Sequence, residues 1–332
     1  MNEMNELEKA TLWSCYALEN IMTTNNEFLS ICSGIKFKKR PKLKIDFQDY
    51  DATVEQFLYL RQSVLEALNN DVFVEIDTCR GCPELARQPV FNKYKISALH
   101  IQDFNVCNLK CIYCVRGTKD NNKTNRPILD YRLLVEVLKR RCLIDDNLLV
   151  NIALDEISII PGCDEIASVF KNYTCCVFTN ALFFRDSIKQ ILQGNNRSYI
   201  ITSVDAGTRE TFAKVKGHDV FGTIRESLIN YSDRGVNCVK LKYIILPNIN
   251  DNYEDANGFL KLCDDVCAKA IILSRNHIFD IIQNENLPDN SIQILAYIWQ
   301  KAQKASYTVE LLRKYFSTDE LNRLDVAISQ SE

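Results

Sequence analysis

The sequence predicts an α/β protein: a partial barrel of about six strand–helix repeats, with a small cysteine-bearing region before it and a mostly helical extension after it. Three observations carry that expectation. From residue 96 onward, short β-rich apolar runs alternate with amphipathic segments. The runs are near-continuously hydrophobic, as strands of a parallel sheet covered on both faces must be. Residues 1–95 and 281–332 do not follow that rhythm, which divides the chain into 1–95, 96–280 and 281–332. This pattern is a TIM-like (β/α)6 arrangement, whose chemistry belongs at the C-terminal ends of the strands. A doubly wound sheet fits the same periodicity.

The elements follow in chain order. Residues 1–95 hold a helix-like opening, the basic stretch "KFKKRPKLK" from Lys36 to Lys44, a helical pattern from Val54 to Leu68, and "DTCRGCPELARQP". A junction is expected between Arg87 and Lys95. Candidate strands run from Ser97 to Phe104, Leu148 to Leu154, Thr174 to Phe178, Tyr199 to Val204, Cys238 to Leu246 and Ala270 to Leu273. Between them Leu129, Leu133, Leu134, Val137 and Leu138 recur at helical spacing, as do residues from Ile188 to Leu192, Ile224 to Ile229 and Phe259 to Val266. A helix is expected from Ser291 to Lys304, extended chain from Tyr307 to Leu312, and a last helix after Ser317-Thr318-Asp319-Glu320, a cap-like start. No repeat of 20 to 50 residues beyond the α/β alternation and no low-complexity tract interrupts the chain.

Composition narrows the function classes. The 332 residues are 46% hydrophobic and 25% charged, with a formal charge of -3. That is the profile of an ordinary globular protein, and nothing in it points to nucleic acid. The opening Met1-Asn2-Glu3-Met4-Asn5-Glu6 lacks a basic flank and an apolar core, and no run of 18 or more uncharged apolar residues follows, so a cytoplasmic protein without a membrane partner is expected. Fourteen cysteines in such a chain read as reduced thiols or metal ligands rather than a disulfide framework. With only His100, His218 and His277 available, a metal site would rely on sulfur, which favours iron–sulfur clusters or zinc.

The densest cysteine grouping is "CNLKCIYC", Cys107 to Cys114. At this cysteine content a C-x3-C-x2-C pattern arises by chance roughly 0.02 times per chain, so accident is a poor explanation. The triplet begins where the first candidate barrel strand ends, where an α/β barrel binds its ligands. Three thiolates on one loop can hold three irons of a four-iron cluster and leave the fourth iron open. A closed zinc site would need a fourth ligand, and the nearest histidine in sequence is His100, on the preceding strand.

This segment resembles the signature of radical S-adenosyl-L-methionine (SAM) enzymes, including Tyr113 as the aromatic residue before the third cysteine, and the resemblance extends over residues 96 to about 275. It implies a 4Fe-4S cluster on Cys107, Cys111 and Cys114, whose open iron chelates SAM and whose electron releases a 5′-deoxyadenosyl radical. "ALDEISIIPGCDEI" from Ala153 resembles the family's GGE-P stretch, which puts Glu156 against the SAM amino group. "FTNALFF" resembles the TNG-type segment and implies Thr179 and Asn180 near the cofactor. "SVDAGTRETFAKVKG" implies Ser203 and Asp205 as contacts to the SAM carboxylate or ribose. "KLKYIILPNINDN" implies Lys242 near the carboxylate. Two departures stand out: Leu154-Asp155 replaces the glycine pair, and Ala181 replaces the glycine after Thr-Asn. The resemblance favours a peptide or protein substrate, then a sugar-like small molecule, with epimerisation, dehydrogenation or crosslinking as outcomes. It also implies a flavodoxin or ferredoxin as reductant.

Cys79 and Cys82 form a lone C-x2-C, a pattern expected about 0.6 times by chance, but "DTCRGCPEL" resembles the C-x2-C-P end of SPASM or twitch auxiliary-cluster domains. Those usually follow the barrel. With Cys15 and Cys32 the region supplies four thiolates, enough for a second, fully ligated 4Fe-4S cluster; structural zinc and buried thiols are the alternatives. Its role is either electron transfer or structural support. Cys163, near the Glu156 segment, is a candidate hydrogen-atom donor, as in some radical SAM epimerases, against a packing role. Cys263 and Cys267 share a helix face and read as core, as do Cys142, Cys175, Cys176 and Cys238. The basic run reads as a solvated edge or as a dock for an acidic peptide or phosphate-bearing substrate. His100 and His218 read as packing or surface residues. The competing function class is a non-enzymatic zinc- or iron–sulfur-binding protein on the same fold.

Overall fold

β-Branched and aliphatic runs become strands, and the Leu/Ile repeats between them become helices, throughout the residues that the computed structural model describes: 11–25, 27–32, 41–70, 79, 82, 84–89, 95–102, 106–114, 129–153, 156–232, 238–276 and 286–330. Part of the basic run (36–40), most of the expected junction (90–94) and the Leu154-Asp155 pair lie outside the described residues. The chain forms two compact units, one of Met1–Phe104, Asn125–Leu154 and Asn172–Cys175, the other of Asn105–Thr124, Asp155–Lys171 and Cys176–Glu332.

In the first unit, β1 (Thr11–Ser14) pairs antiparallel with β5 (Ala86–Pro89). β2 (Ile21–Thr24), β6 (Ala98–Gln102) and β7 (Leu149–Ala153) are parallel neighbours, with β6 between the other two. β3 (Phe28–Ser30) and β4 (Lys42–Lys44) continue antiparallel from β2. Helix α1 (Tyr16–Asn20) is one short turn; α2 (Tyr50–Asn69) starts at Asp49, whose carboxylate accepts the Ala52 N–H at 2.8 Å. Val54, Phe57, Val64, Leu65 and Leu68 make the buried stripe of α2. Arg61 on that stripe donates to the carbonyls of Ile21 and Lys95 at 3.1 and 3.3 Å; burial lowers its guanidinium to about 10. Helix α3 (Tyr131–Arg140) buries Leu134, Val137 and Leu138, the helical repeat read from the sequence.

The second unit carries a parallel sheet in sequence order: the Cys176–Phe178 part of β8 (Thr174–Phe178), β9 (Tyr199–Ser203), β10 (Val239–Ile245), β11 (Ala270–Arg275) and β12 (Thr308–Leu311). Helices α4 (Cys163–Phe170), α5 (Asp186–Gly194), α6 (Arg209–Lys216), α7 (Phe221–Ser232), α8 (Tyr253–Asp265), α9 (Asp289–Lys304) and α10 (Thr318–Ser329) alternate with or follow the strands. All six residues of β11 are buried, as a strand covered on both faces requires. All six expected strands are present, so the α/β class holds. The C-terminal region also contributes a strand: Thr308-Val309-Glu310-Leu311 pairs in register with Ala270–Leu273.

One backbone contact fixes the loop after β9. A Cβ on Gly207 would stand 1.9 Å from the Asp255 carbonyl oxygen, and one on Gly258 would stand 2.1 Å from that of Gly207. Asp255 fastens the same junction from α8, accepting the N–H groups of Gly207 and Thr208 at 2.9 and 3.0 Å and the Thr211 hydroxyl at 2.8 Å. Only glycine lets the two backbones meet. Gly207→Ala is therefore expected to lower unfolding free energy by about 1–3 kcal/mol or more, read as an earlier midpoint in urea with an unchanged slope.

Candidate cluster and cofactor site

The Cys107–Cys114 loop rests on the C-terminal end of α6. That helix stops where Gly217 adopts φ 75°, and its last carbonyls need partners outside the helix. The loop supplies them: Lys110 N–H donates to the Lys216 carbonyl and Ile112 N–H to that of Val215, both at 3.0 Å. A Cβ on Gly217 would meet the Lys110 backbone at 3.0 Å. Cys114 N–H closes a turn on the Cys111 carbonyl at 3.0 Å. Tyr113 packs against Val215, Ile244 and Leu246, so the aromatic position anchors the loop in the core.

Beneath the loop lies a buried polar cluster. Asp205 follows β9 with φ 59°, a left-handed conformation that Asp tolerates better than most residues. Its Oδ1 accepts the Ile244 N–H at 2.7 Å; its Oδ2 accepts the Lys216 Nζ at 2.5 Å and the Tyr113 hydroxyl. Lys216 Nζ also donates to the Tyr113 hydroxyl at 2.6 Å, and Asn250 Nδ2 donates to the Asp205 carbonyl at 2.8 Å. Asp205 is fully buried and Lys216 is 2% exposed. The carboxylate expected to touch a cofactor is thus held by protein donors on both oxygens. Ser203 and Lys242 lie opposite each other on β9 and β10. Burial lowers the Lys242 ammonium, with the Asp205 carboxylate pulling the other way.

The strand-end residues meet at Glu156. It caps the short 3₁₀ turn Ile157–Ile159; its Oε1 accepts the Ser158 N–H at 3.0 Å and the Thr179 hydroxyl at 2.7 Å, and its Oε2 accepts the Asn180 N–H at 2.5 Å. Asn180 Nδ2 reaches the cluster loop, donating to Asn108 Oδ1 at 2.6 Å and to Cys107 Sγ at 3.7 Å. Glu156, Thr179, Asn180 and Cys107 therefore form one connected set. Ala181 has φ 57°, so the backbone here keeps a conformation that glycine adopts at no cost. Asn108, Lys216 and Asn250 escaped the sequence reading; Asn108 was signalled only by being a polar residue between the first two cysteines.

Among the described residues, no hydrogen bond joins Cys163 to the Glu156 set. Gly162, at φ 89°, turns the chain so that Cys163 becomes the first residue of α4, 3% exposed, with Sγ 3.5 Å from Ser187 Oγ on α5. Burial pushes its thiol up. Its buried setting against Ser187 is that of the packing alternative.

In the first unit, Cys15, Cys32, Cys79 and Cys82 line one cavity with Leu18, Ile31, Val64, Leu68 and Leu85 among its apolar walls. Cys15 caps α1, its Sγ accepting the Leu18 N–H at 3.4 Å. Cys82 N–H closes on the Cys79 carbonyl at 3.0 Å and Leu85 N–H on that of Cys82 at 3.1 Å. Burial, and then the neighbouring Cys15, Cys32 and Cys82, push the Cys79 thiol up to about 11.

All fourteen cysteines, each among the described residues, are free of disulfides. Among the described residues no three His, Cys, Asp or Glu side chains are already closed to metal-ligand separation. The donor sets nonetheless suit sulfur-ligated iron in kind, since both are all-thiol. At the three-cysteine loop, Asn108 Nδ2 is buried without a partner, a donor suited to a cluster sulfide or a cofactor carboxylate. Burial holds Cys107 up to about 11, so metal loading must displace a proton there. No helix among the described residues is long and apolar enough to cross a membrane.

No protein-family model matches the chain. It is 26% identical over 183 residues to a probable GTP 3′,8-cyclase of Saccharolobus islandicus, covering 54% of this chain and 56% of that one. It is 24% identical over 176 residues to the GTP 3′,8-cyclase of Clostridium botulinum, covering 51% and 53%. The chain thus spans about half the length of the curated relatives it matches. Among solved structures, Streptococcus suis SuiB bound to its precursor peptide SuiA superposes with a TM-score of 0.51 at 10% identity, over 90% of this chain and 72% of SuiB, a likeness of fold. The C-x3-C-x2-C loop thus sits at the strand ends of a parallel α/β unit, in a chain that is similar over about half its length to GTP 3′,8-cyclases and similar in fold to SuiB.

Proposed function

We propose that the chain is a radical SAM enzyme in which Cys107, Cys111 and Cys114 ligate a 4Fe-4S cluster and SAM binds beside it. When bound, the pair supplies a 5′-deoxyadenosyl radical that takes a hydrogen atom from a peptide, protein or sugar-like substrate, leading to epimerisation, dehydrogenation or crosslinking. The observation that carries this reading is the continuous link from Cys107 through Asn180 to Glu156. Glu156 offers about four acceptor positions, of which three are occupied by Ser158, Thr179 and Asn180. The remaining position suits one N–H of an ammonium group such as that of SAM. Ser203 and Lys242 are the matching candidates for its carboxylate. Flavodoxin or ferredoxin is the class of reductant, and the 1–95, 96–280 and 281–332 division is the proposed domain organisation.

The four thiols of the first unit are proposed to hold an auxiliary 4Fe-4S cluster with no open iron. Structural zinc is the second reading, because four thiols in one apolar cavity suit it equally. The deciding experiment is anaerobic purification followed by dithionite and SAM. A brown protein that forms 5′-deoxyadenosine supports the enzyme, whereas a colourless one with stoichiometric zinc supports a non-enzymatic metal protein. Deuterium traced from candidate precursor peptides or sugars into 5′-deoxyadenosine then identifies the substrate class. Glu156→Gln turns one of two acceptor oxygens into a donor facing Thr179 or Asn180. It is expected to weaken SAM binding about 10- to 100-fold in equilibrium dialysis, the worth of a charge-assisted hydrogen bond.

A further inference from the structure

We propose that Lys216 is a positioning residue for the cluster loop: its ammonium clamps Tyr113 to Asp205 while its carbonyl holds the Lys110 N–H, and its charge balances a buried carboxylate beside the cluster. This rests on the cluster reading given above. The geometry is particular. Lys216 Nζ lies 2.5 Å from Asp205 Oδ2 and 2.6 Å from the Tyr113 hydroxyl, and 5.0 Å from the centre of the Tyr113 ring. Tyr113 itself is one residue from Cys114 and two from Cys111.

The contacts bind three separate pieces of chain. Asp205 secures the end of β9 and, through the Ile244 N–H, β10. Lys216 closes α6, and Tyr113 belongs to the loop itself. Paired ions enclosed from water interact far more strongly than exposed ones, and removing one partner leaves the other uncompensated. Tyr113, which both charged groups contact, adjoins Cys114 in the chain, so both charges lie beside the loop that would ligate iron. Neutralising Lys216 therefore leaves a negative charge beside the cluster, which opposes addition of an electron. Neutralising Asp205 leaves a positive charge and assists it.

The test is an anaerobic redox titration of the cluster by electron paramagnetic resonance in the full-length protein, with Cys79→Ala/Cys82→Ala as background so that one cluster is read. Lys216→Met is expected to lower the equilibrium constant for one-electron reduction at least tenfold, a shift of about 59 mV. Asp205→Asn is expected to move it in the opposite direction. Asparagine suits the left-handed φ of 59° and keeps an oxygen for the Ile244 N–H, so this variant carries the test if Lys216→Met does not fold. Lys216→Arg is expected to stay within about threefold of the parent, because it restores the charge. Phe212→Leu, buried in the same helix, is the control for general loosening and is expected to leave the potential in place. A parent protein that takes up no iron would overturn the cluster reading itself. A parent that loads iron while Lys216→Met and Asp205→Asn shift together, or not at all, would overturn the role of Lys216 alone.

Discussion

Cys111→Ala is expected to remove about four irons per chain and to abolish 5′-deoxyadenosine formation, leaving the fold of the second unit in place. The loop is held by backbone bonds from Lys110 and Ile112 to the end of α6 and by packing of the Tyr113 ring on Val215, Ile244 and Leu246; the Cys111 sulfur adds only a side-chain hydrogen bond with Tyr113. Folding of the loop and ligation of iron are therefore separable in this variant. With two thiolates left, a four-iron cluster loses one of only three protein ligands. Activity should fall by more than about a hundredfold, since loss of mere outer-shell partners of a metal commonly costs ten- to a hundredfold. Iron and sulfide analysis beside the yield of 5′-deoxyadenosine checks the prediction. Unchanged iron with unchanged product would remove the three-cysteine loop from the mechanism.

Local features were the legible ones. The cysteine spacing, the strand runs and the Ser317 start of α10 are set by near neighbours in sequence, and each appears where the pattern puts it; Ser317 and Glu320 form the reciprocal cap. Resemblance singles out Glu156, Thr179 and Asn180, and in the structure Glu156 accepts hydrogen bonds from the other two. What escaped depends on long reach. Lys216 meets Tyr113 across 103 residues and Asn180 meets Asn108 across 72, and no periodicity encodes such pairs. Asp205 was legible as a polar strand-end residue, but not as one enclosed by Lys216, Tyr113 and the Ile244 backbone. The αL turn at Gly162 sets Cys163 at the start of α4 against Ser187 of α5, a placement that spacing in sequence does not encode. Ala181 shows the converse: the residue departs from the family pattern while its φ stays in the region that glycine favours.

The second large effect is expected in the first unit, where Cys79→Ala/Cys82→Ala should remove about four further irons while the Cys107–Cys114 loop keeps its own. Cys15 and Cys32 come from the start of α1 and the residues after β3, whereas Cys79 and Cys82 share one turn. A metal joining them ties together segments 47 to 67 residues apart in sequence, and its binding free energy becomes folding free energy for this unit. The thermal midpoint of the unit should therefore fall by at least about 5 °C, while SAM cleavage per remaining cluster stays within about tenfold of wild type. Burial raises the Cys15 and Cys79 thiols, so without metal the apolar cavity favours their neutral forms. Ligation reverses that preference by stabilising the thiolates, which links metal and fold more tightly than an exposed site would. Loss of one zinc instead of about four irons would assign the cavity to a structural ion. No change in either metal or thermal midpoint would leave these cysteines as packing thiols.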